Sequence, residues 1–279
     1  ADFEVELAGN EEAFQAGLTA LSKIAKTYLG IGAQQQSAAL TGAKNVEVNV
    51  FDGACPAGNV GVQVNNIDPV NKGEVVWTVD PAAVIFFGRL FLTGKVDLHK
   101  KVAVAGSEMK EAGYANVLVG TSLSAFVEAQ MKTKEHVRLI NGNPLTGVKT
   151  TTSDFVGGHT SEVTAIPEGD DNDEMLGWIL PRTNQFSTSR SYFSWLFGKK
   201  KEYDLDARVK GGERHMIMSG EYDKVLPMDI YGEYLIKAII TGDIDKQEQL
   251  GIYEVSPEDF AVAEFVDSSK LELQKIVRQ

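Results

Sequence analysis

Cysteine is nearly absent from this chain of 279 residues, in which Cys55 is the single one. One thiol forms no internal disulfide bond, which fits a reducing compartment. It also excludes an iron–sulfur cluster held by this chain, since a cluster takes four protein ligands, and a zinc site built from cysteines. The histidines are few and isolated in sequence, and a lone histidine is more often structural than catalytic; they are His99, His136, His159 and His215.

Long apolar runs and basic stretches are also missing. The longest apolar run covers residues 82–88 and ends at Arg89, whereas a membrane-spanning helix needs about 20 apolar residues. The first residues show no basic and then apolar leader, so we expect neither a membrane-spanning nor a secreted protein for this stretch. The net charge is −12, which repels nucleic acid phosphates and excludes nucleic acid as a partner.

Apolar spacing over residues 1–98 predicts alternating helices and strands. A helix over 11–25, begun by Asn10 as its capping residue, precedes a strand at 26–32. A weaker helix at 35–40 then precedes a strand at 46–51. Helix, strand, helix, strand is the order of a parallel α/β layer.

The rest of this region predicts one more strand, at 75–79, and one apolar helix. Asp80 and Pro81 are typical of a helix start, and Gly94 is typical of a position just past a helix end. Because residues 84–92 are apolar almost all round, we expect this helix to be deeply buried, with Phe87 and Phe91 in the core.

The spacing of the apolar residues changes after Lys95. Short strands around one helix, which starts at 122 or 123, predict a small α+β module; the strands are expected at 101–105, 115–119, 137–140 and 161–166. The acidic run at 168–174 is typical of a solvated loop and marks the next boundary. Beyond it the pattern is mixed and mostly helical, with helices expected at 228–240, 247–250, 257–260 and 271–278.

No catalytic motif survives inspection. Gly30-Ile31-Gly32 follows a strand, but the third glycine of a dinucleotide fingerprint is missing, since Gln35 occupies its place. Cys55 before Pro56 has two interpretations, a reactive thiol at a helix start or a small apolar residue at a turn. The residues alone therefore favour no active site, and a stand-alone nucleotide-dependent oxidoreductase is the weakest hypothesis.

One segment combines large aromatic side chains with lysines. No clean two-residue or 3.6-residue period divides its side chains into a buried and a wet face, and its lysines are the one run of three basic residues. One interpretation is a core element with a solvated basic end. The other is a contact with a membrane-bound partner or with quinone, because rings and cations suit the membrane boundary. The candidate contact residues are Tyr192, Phe193, Trp195, Phe197, Lys199, Lys200 and Lys201.

Several segments, in one order along nearly the whole chain, resemble the A subunit of the Na⁺-translocating NADH:quinone oxidoreductase, a sodium-pumping respiratory complex of bacteria. They are residues 56–61, 68–70, 87–94, 137–142, 145–147, 177–178, 184–187, 220–229, 241–245 and 257–260. An ordered series of matches is more specific than any single motif. The resemblance implies that a family segment precedes Ala1 and that a tail follows Gln279.

The resemblance also implies a fold and a function. The fold would be α/β plus α+β: a partial Rossmann-like layer over 1–98, a β-grasp (ubiquitin-like) module over 99–169 and a mixed, mostly helical region over 170–279. The chain would be a peripheral subunit on the cytoplasmic face of the bacterial inner membrane, bound to the other subunits and contributing to a quinone site. It would hold no cofactor or metal, because the flavins and the iron–sulfur cluster lie on other subunits. The alternative is a purely structural scaffold without quinone contact.

Overall fold

The computed structural model describes residues 1–171, 179–187, 190, 192–197 and 201–279. The chain divides into two compact units. The helical α/β unit contains Asp2–Leu98 and Glu213–Gln279, and the sheet unit contains Ala1 and His99–Gly212. Together they form a mixed α/β protein. The division into three regions expected from the sequence stays a prediction.

The helical α/β unit begins with an α/β layer. Its elements are the helices α1 (Phe3–Leu7), α2 (Glu11–Leu21), α3 (Ala38–Thr41), α4 (Val60–Ile67) and α5 (Pro81–Thr93), with the strands β1 (Tyr28–Gly32) and β2 (Glu47–Phe51). The two strands pair in parallel, with Tyr28 opposite Glu47 and Gly32 opposite Phe51, as the alternation of helices and strands predicts. Phe14, Leu18 and Ile85 are at most 3% exposed and form the centre of its core.

The predicted ends of α5 are confirmed in detail. The carboxylate of Asp80 accepts a hydrogen bond of 2.7 Å from the main-chain N–H of Ala82, which satisfies a free donor of the first turn. Gly94 ends the helix with φ 70°, a left-handed conformation that glycine adopts without strain. At α2 the predicted start is right, but Asn10 does not cap it with its side chain, which instead accepts from Arg89 and donates to Glu6.

The expected deep burial of α5 is wrong. Phe87 is 39% exposed and Phe91 is 69% exposed. The cause is the choice of face: α5 buries Ala82, Val84, Ile85 and Gly88, and it lies so close to α2 that a Cβ atom added to Gly88 would be 1.6 Å from the carbonyl oxygen of Ala13. Because this face makes the close contact, Phe87 and Phe91 point outward.

The predicted strand at 75–79 is also wrong. These residues belong to no strand, and Trp77 is 88% exposed. A strand exists only where a second strand supplies main-chain hydrogen bonds, and none of the described residues does so here. High β-propensity alone does not create that partner.

The C-terminal part of the same unit is helical, as the pattern predicts. It contains α6 (Gly232–Thr241), α7 (Ile244–Gln249), α8 (Ala261–Val266), α9 (Leu273–Val277) and the 3₁₀ turns Tyr222–Lys224, Ile252–Glu254 and Pro257–Phe260. Leu235, Ile236 and Leu273 are fully buried and pack with Val62 of α4 in one core. This contact places residues 213–279 in one unit with the α/β layer.

The sheet unit is built on five strands in the order β4-β3-β7-β5-β6. They are β3 (His99–Ala105), β4 (Gly113–Leu118), β5 (Val137–Asn141), β6 (Val148–Thr150) and β7 (Glu162–Pro167). β3 and β7 pair in parallel and the other neighbours are antiparallel. Four of the strands were expected and β6 was missed, while the expected helix is a 3₁₀ turn at Leu123–Ala125.

None of the helices in the described part of the chain combines the length and the hydrophobicity that crossing a bilayer requires.

The contact of α2 with α5 yields a stability prediction. We expect Gly88→Ala to lower the free energy of unfolding by about 1–3 kcal/mol, because the added methyl group would overlap the main chain of α2. Gly32→Ala is the matched control, since a Cβ atom there meets nothing within 4 Å. Urea unfolding of both variants measures the effect. Equal midpoints for Gly88→Ala and wild type would show that α2 and α5 do not pack this closely.

Candidate functional site

The most unusual feature of the sheet unit is an exposed group of aromatic side chains, here called the aromatic surface. Large apolar residues normally lie inside a protein, and a contiguous exposed patch of them marks an interaction site. The surface consists of the exposed residues Phe186, Phe193, Trp195, Leu196 and Phe197 and the half-buried residues Tyr192 and Tyr203, with the cations Arg182 and Lys201.

The centre of the aromatic surface is the 3₁₀ helix Phe193–Phe197, in which the usual burial pattern is reversed. Ser194 is 2% exposed, whereas Trp195 is 50% and Phe197 is 62% exposed. The main-chain N–H of Phe193 donates to the carbonyl of Pro181 at 3.1 Å, which holds the turn on the preceding segment. The small polar residue faces the protein, so the large rings face outward.

Two cations lie against these rings. The ammonium group of Lys201 is 5.0 Å from the ring centre of Phe197 and 5.4 Å from that of Tyr203, and it donates a hydrogen bond to the carbonyl of Thr183. The guanidinium group of Arg182 lies 5.5 Å from the ring centre of Tyr192. These distances fit cation–π attraction. The cations therefore help to fix the positions of these rings.

The chain that follows Tyr203 is tied to the sheet. The carboxylate of Asp206 accepts from Arg208 at 2.7 Å and from Lys210 at 2.9 Å. Burial raises the pKa of Asp206, but the bonds from these two cations outweigh it and the net pKa is lowered. The N–H of Ala207 donates to the carbonyl of Pro167 at the end of β7 at 2.9 Å. These bonds therefore hold the chain next to Tyr203 against the end of β7.

A second charged cluster lies where β7 ends. Glu168 accepts two hydrogen bonds from Arg138, at 2.6 and 2.5 Å, and one from Lys149 at 3.2 Å. The paired guanidinium is the main reason that the pKa of Glu168 falls to about 2. Next to it, Asp170 lies 2.8 Å from Nδ1 of His136 and raises the pKa of that histidine. The predicted solvated acidic loop therefore starts with two carboxylates that have basic partners.

The structure brings together most of the residues predicted for partner or quinone contact. Tyr192, Phe193, Trp195, Phe197 and Lys201 share the aromatic surface. The other two, Lys199 and Lys200, lie outside the described residues.

Sequence reasoning missed Arg182, Phe186 and Tyr203. The ring of Phe186 meets that of Tyr203 edge-on, with the centres 5.7 Å apart. The two residues are far apart in sequence, and no periodic pattern connects them. The sequence alone therefore does not predict this contact.

The other candidates assemble no site. Gly30 and Gly32 lie within β1 instead of in a loop that enters a helix, and a side chain at Gly30 would overlap Gln63. Cys55 is exposed and unbonded to another cysteine. Among the described residues, no three His, Cys, Asp or Glu side chains come close enough to hold a metal ion.

A polar cleft of about 290 Å³ lies in the helical α/β unit and is lined by Val70, Asn71, Lys72, Glu248, Gly251, Tyr253 and Glu254. Lys72 and Glu248 pair with each other, and Glu254 accepts a hydrogen bond from the side-chain amide of Asn65. The carboxylate of Glu248 accepts a hydrogen bond of 2.6 Å from Lys72 and one of 2.8 Å from the hydroxyl of Tyr253, and both bonds lower the pKa of Glu248. These bonds tie the loop before residue 74 to α7, so we interpret the cleft as structural.

Fold and surface together define a class: a mixed α/β chain whose most prominent described feature is an exposed group of aromatic side chains. Two domain models of one family match it, the NqrA second alpha/beta domain over residues 1–96 and the NQRA C-terminal domain over residues 101–152. The chain belongs to the NqrA family.

Curated relatives resemble nearly the whole chain. The A subunit of the Na(+)-translocating NADH-quinone reductase of Vibrio atlanticus (strain LGP32) is 34% identical over 99% of this chain. The protein of that name from Pasteurella multocida (strain Pm70) is 34% identical over 100% of it, and the one from Vibrio anguillarum is 35% identical over 96%. The matched part is 62%, 62% and 60% of the length of these relatives. The chain thus spans less than two thirds of the proteins that it resembles.

The cluster around Glu168 yields a pH prediction. A carboxyl group whose pKa is lowered in the folded state stabilises the fold above its ordinary pKa of 4.5, and this contribution is lost as the pH falls toward about 2. We expect Glu168→Gln to cost about 1–2 kcal/mol at pH 7, since solvent screens part of a pair at the surface. The cost should shrink steadily below pH 4.5.

Urea unfolding at several pH values between 7 and 3 measures this difference. Glu111→Gln, at an exposed glutamate of the same unit, is the matched control. A cost for Glu168→Gln that stays constant over this pH range would contradict the assigned role of the Arg138 pair.

Proposed function

We propose that this chain is part of the A subunit of a sodium-translocating NADH:quinone oxidoreductase, which couples NADH oxidation and quinone reduction to Na⁺ export. The observation that carries this proposal is the identity of 34% along 99% of the chain to a protein with that name. Its partners are then the other subunits of the complex. The subunit is peripheral and lies on the cytoplasmic face of the bacterial inner membrane.

The aromatic surface supports the peripheral role. Exposed rings such as Phe193, Trp195 and Phe197, with cations beside neighbouring rings, suit the depth of lipid headgroups, where aromatic side chains and basic residues are favoured. Trp195 and Phe197 stand outward while Arg182 and Lys201 hold neighbouring rings. In our proposal this surface docks the subunit onto its membrane-bound neighbours and borders a quinone site.

A scaffold without quinone contact is the second candidate. It is favoured by the cation–π contacts of Lys201 and Arg182, which stabilise the rings without any ligand. Titration of the assembled complex with quinone, followed by tryptophan fluorescence in wild type and in Trp195→Phe, separates the two. A change that depends on Trp195 supports the quinone border, and equal curves support the scaffold.

The finer fold is part of the proposal. Two parallel strands between helices support a partial Rossmann-like layer over residues 1–98. In the sheet unit, the first and the last strand are parallel neighbours with an antiparallel strand beyond each of them, which supports a β-grasp module over 99–169. The module departs from an α+β pattern with a long helix, because only a 3₁₀ turn lies at Leu123–Ala125.

We also propose that this part of the protein holds no flavin, cluster or metal, and that these groups lie on other subunits. The glycines of β1 form no phosphate loop, and phosphate binding needs clustered N–H groups at a helix start. Purified protein should show no flavin absorbance and no iron. A stoichiometric yellow chromophore that survives gel filtration would contradict this.

The docking role is tested by charge reversal and by ring deletion. Changing Lys199, Lys200 and Lys201 together to Glu should weaken assembly, and more so at low ionic strength, where charge is less screened. Trp195→Ala should weaken assembly about thirtyfold at any salt concentration, since a central aromatic anchor often contributes ~2 kcal/mol. Co-purification of the subunit with the membrane complex measures both effects.

Lys44→Glu and Phe155→Ala are the matched controls, because both residues are exposed and lie outside the aromatic surface. If both surface variants fold normally and co-purify at full yield, the surface is ordinary structure and the docking role is wrong.

A further inference from the structure

Residues 75–79 combine the sequence of a strand with exposed, unpaired main chain. Val75 is 77%, Val76 is 50% and Trp77 is 88% exposed. Among the described residues, the main chain of 75–79 forms no hydrogen bond, although the residues on either side do. A run of β-branched and aromatic residues with free N–H and C=O groups is a template for pairing with another strand.

The helix that follows continues this exposed apolar region. The outer face of α5 carries Phe87, Leu90, Phe91 and Leu92, which are 39–69% exposed, and Val96 beyond the helix end is 72% exposed. The inner face is already occupied by α2, since Gly17 and Gly88 lie at the close contact of the two helices. The outer face therefore needs a second layer to remove its rings from water.

The sheet of the same unit is small. In the described part of the helical α/β unit it contains β1 and β2 alone. Parallel sheets are covered on both faces in stable domains, and three or more strands are normally needed for independent stability. Val50 of β2 is 63% exposed, which again shows an α/β layer with uncovered apolar positions.

We propose that residues 75–79 pair as a strand with a segment of the same polypeptide that lies outside these 279 residues, and that this segment covers the outer face of α5. This inference rests on the proposed function, in which the chain is part of a longer A subunit. The relatives support an occupant from the same chain, because this chain covers only 62% of their length. The model matched over residues 1–96 is described as a second alpha/beta domain.

Two other occupants are distinguishable from this one. A second copy of the chain would place two identical segments together and depend on protein concentration. Another subunit of the complex would protect the segment only after assembly. A segment of the same chain protects it in the isolated subunit, at any concentration.

Amide hydrogen exchange of the subunit-length protein tests the proposal. We expect the amides of 75–79 to exchange about a hundredfold more slowly than unprotected amides, as in a paired strand, already in the isolated monomeric subunit. Residues 29–31 of β1 provide the internal reference for a paired strand. Fast exchange in the isolated subunit, or protection that appears only on dimerisation or on assembly, would overturn the proposal.

A substitution gives a second readout. Trp77→Asp in the subunit-length protein should expose the outer segment and speed its cleavage by trypsin more than fivefold, because a buried charge disfavours the docked state. Tyr231→Asp is the matched control, at an aromatic residue that is 70% exposed in the same unit. Equal cleavage rates in both variants would overturn the proposal.

Both measurements use the isolated subunit, and neither depends on activity. A protected segment in a protein that never joins the complex would uphold this inference and defeat the proposed function. Normal assembly with fast exchange at 75–79 would instead uphold the proposed function and overturn this inference.

Discussion

The close approach of α2 and α5 governs the organisation of the α/β layer. At Gly17 and Gly88 the two helices come so near that an added Cβ atom would overlap the main chain of Val84 or Ala13. The buried side of α5 combines Ala82 and Gly88 with Val84 and Ile85, and the side that carries Phe87, Leu90 and Phe91 is left facing outward. The exposure of Phe91 therefore follows from tight internal packing.

The aromatic surface of the sheet unit follows a related principle. Ser194 turns inward, and the neighbouring rings turn outward, where Lys201 and Arg182 lie against them. The base of this surface is held by Asp206 and by the bond of Ala207 to β7. A fixed base and exposed rings suit a surface that is preorganised for contact, because little order must be gained when a partner binds.

Local signals in the sequence were enough for several elements. The capping of α5 by Asp80 and its end at Gly94 depend on main-chain groups within one turn, so the sequence predicts them directly. The parallel pairing of β1 and β2 follows from the order of elements. The orientation of α5 was not predictable, because an almost uniformly apolar helix carries no stripe that marks its inner face.

The strand predicted at 75–79 failed for a different reason. Propensity describes what Trp77 and its neighbours favour, whereas a strand also requires a partner, which the described residues do not supply. The candidate contact site was partly predictable. The missing period around Trp195 indicated exposed rings, but the contact of Phe186 with Tyr203 joins two residues far apart in sequence, which no local pattern reveals.

Site-specific cross-linking tests the docking role of the aromatic surface most directly. A photoreactive phenylalanine analogue in place of Trp195, in the assembled complex, should form an adduct with a membrane-embedded subunit. The same analogue in place of Phe155, which is 63% exposed in the same unit, should form none. Adducts of equal yield from both positions, or none from position 195 in a fully assembled complex, would contradict the assignment of this surface to membrane docking.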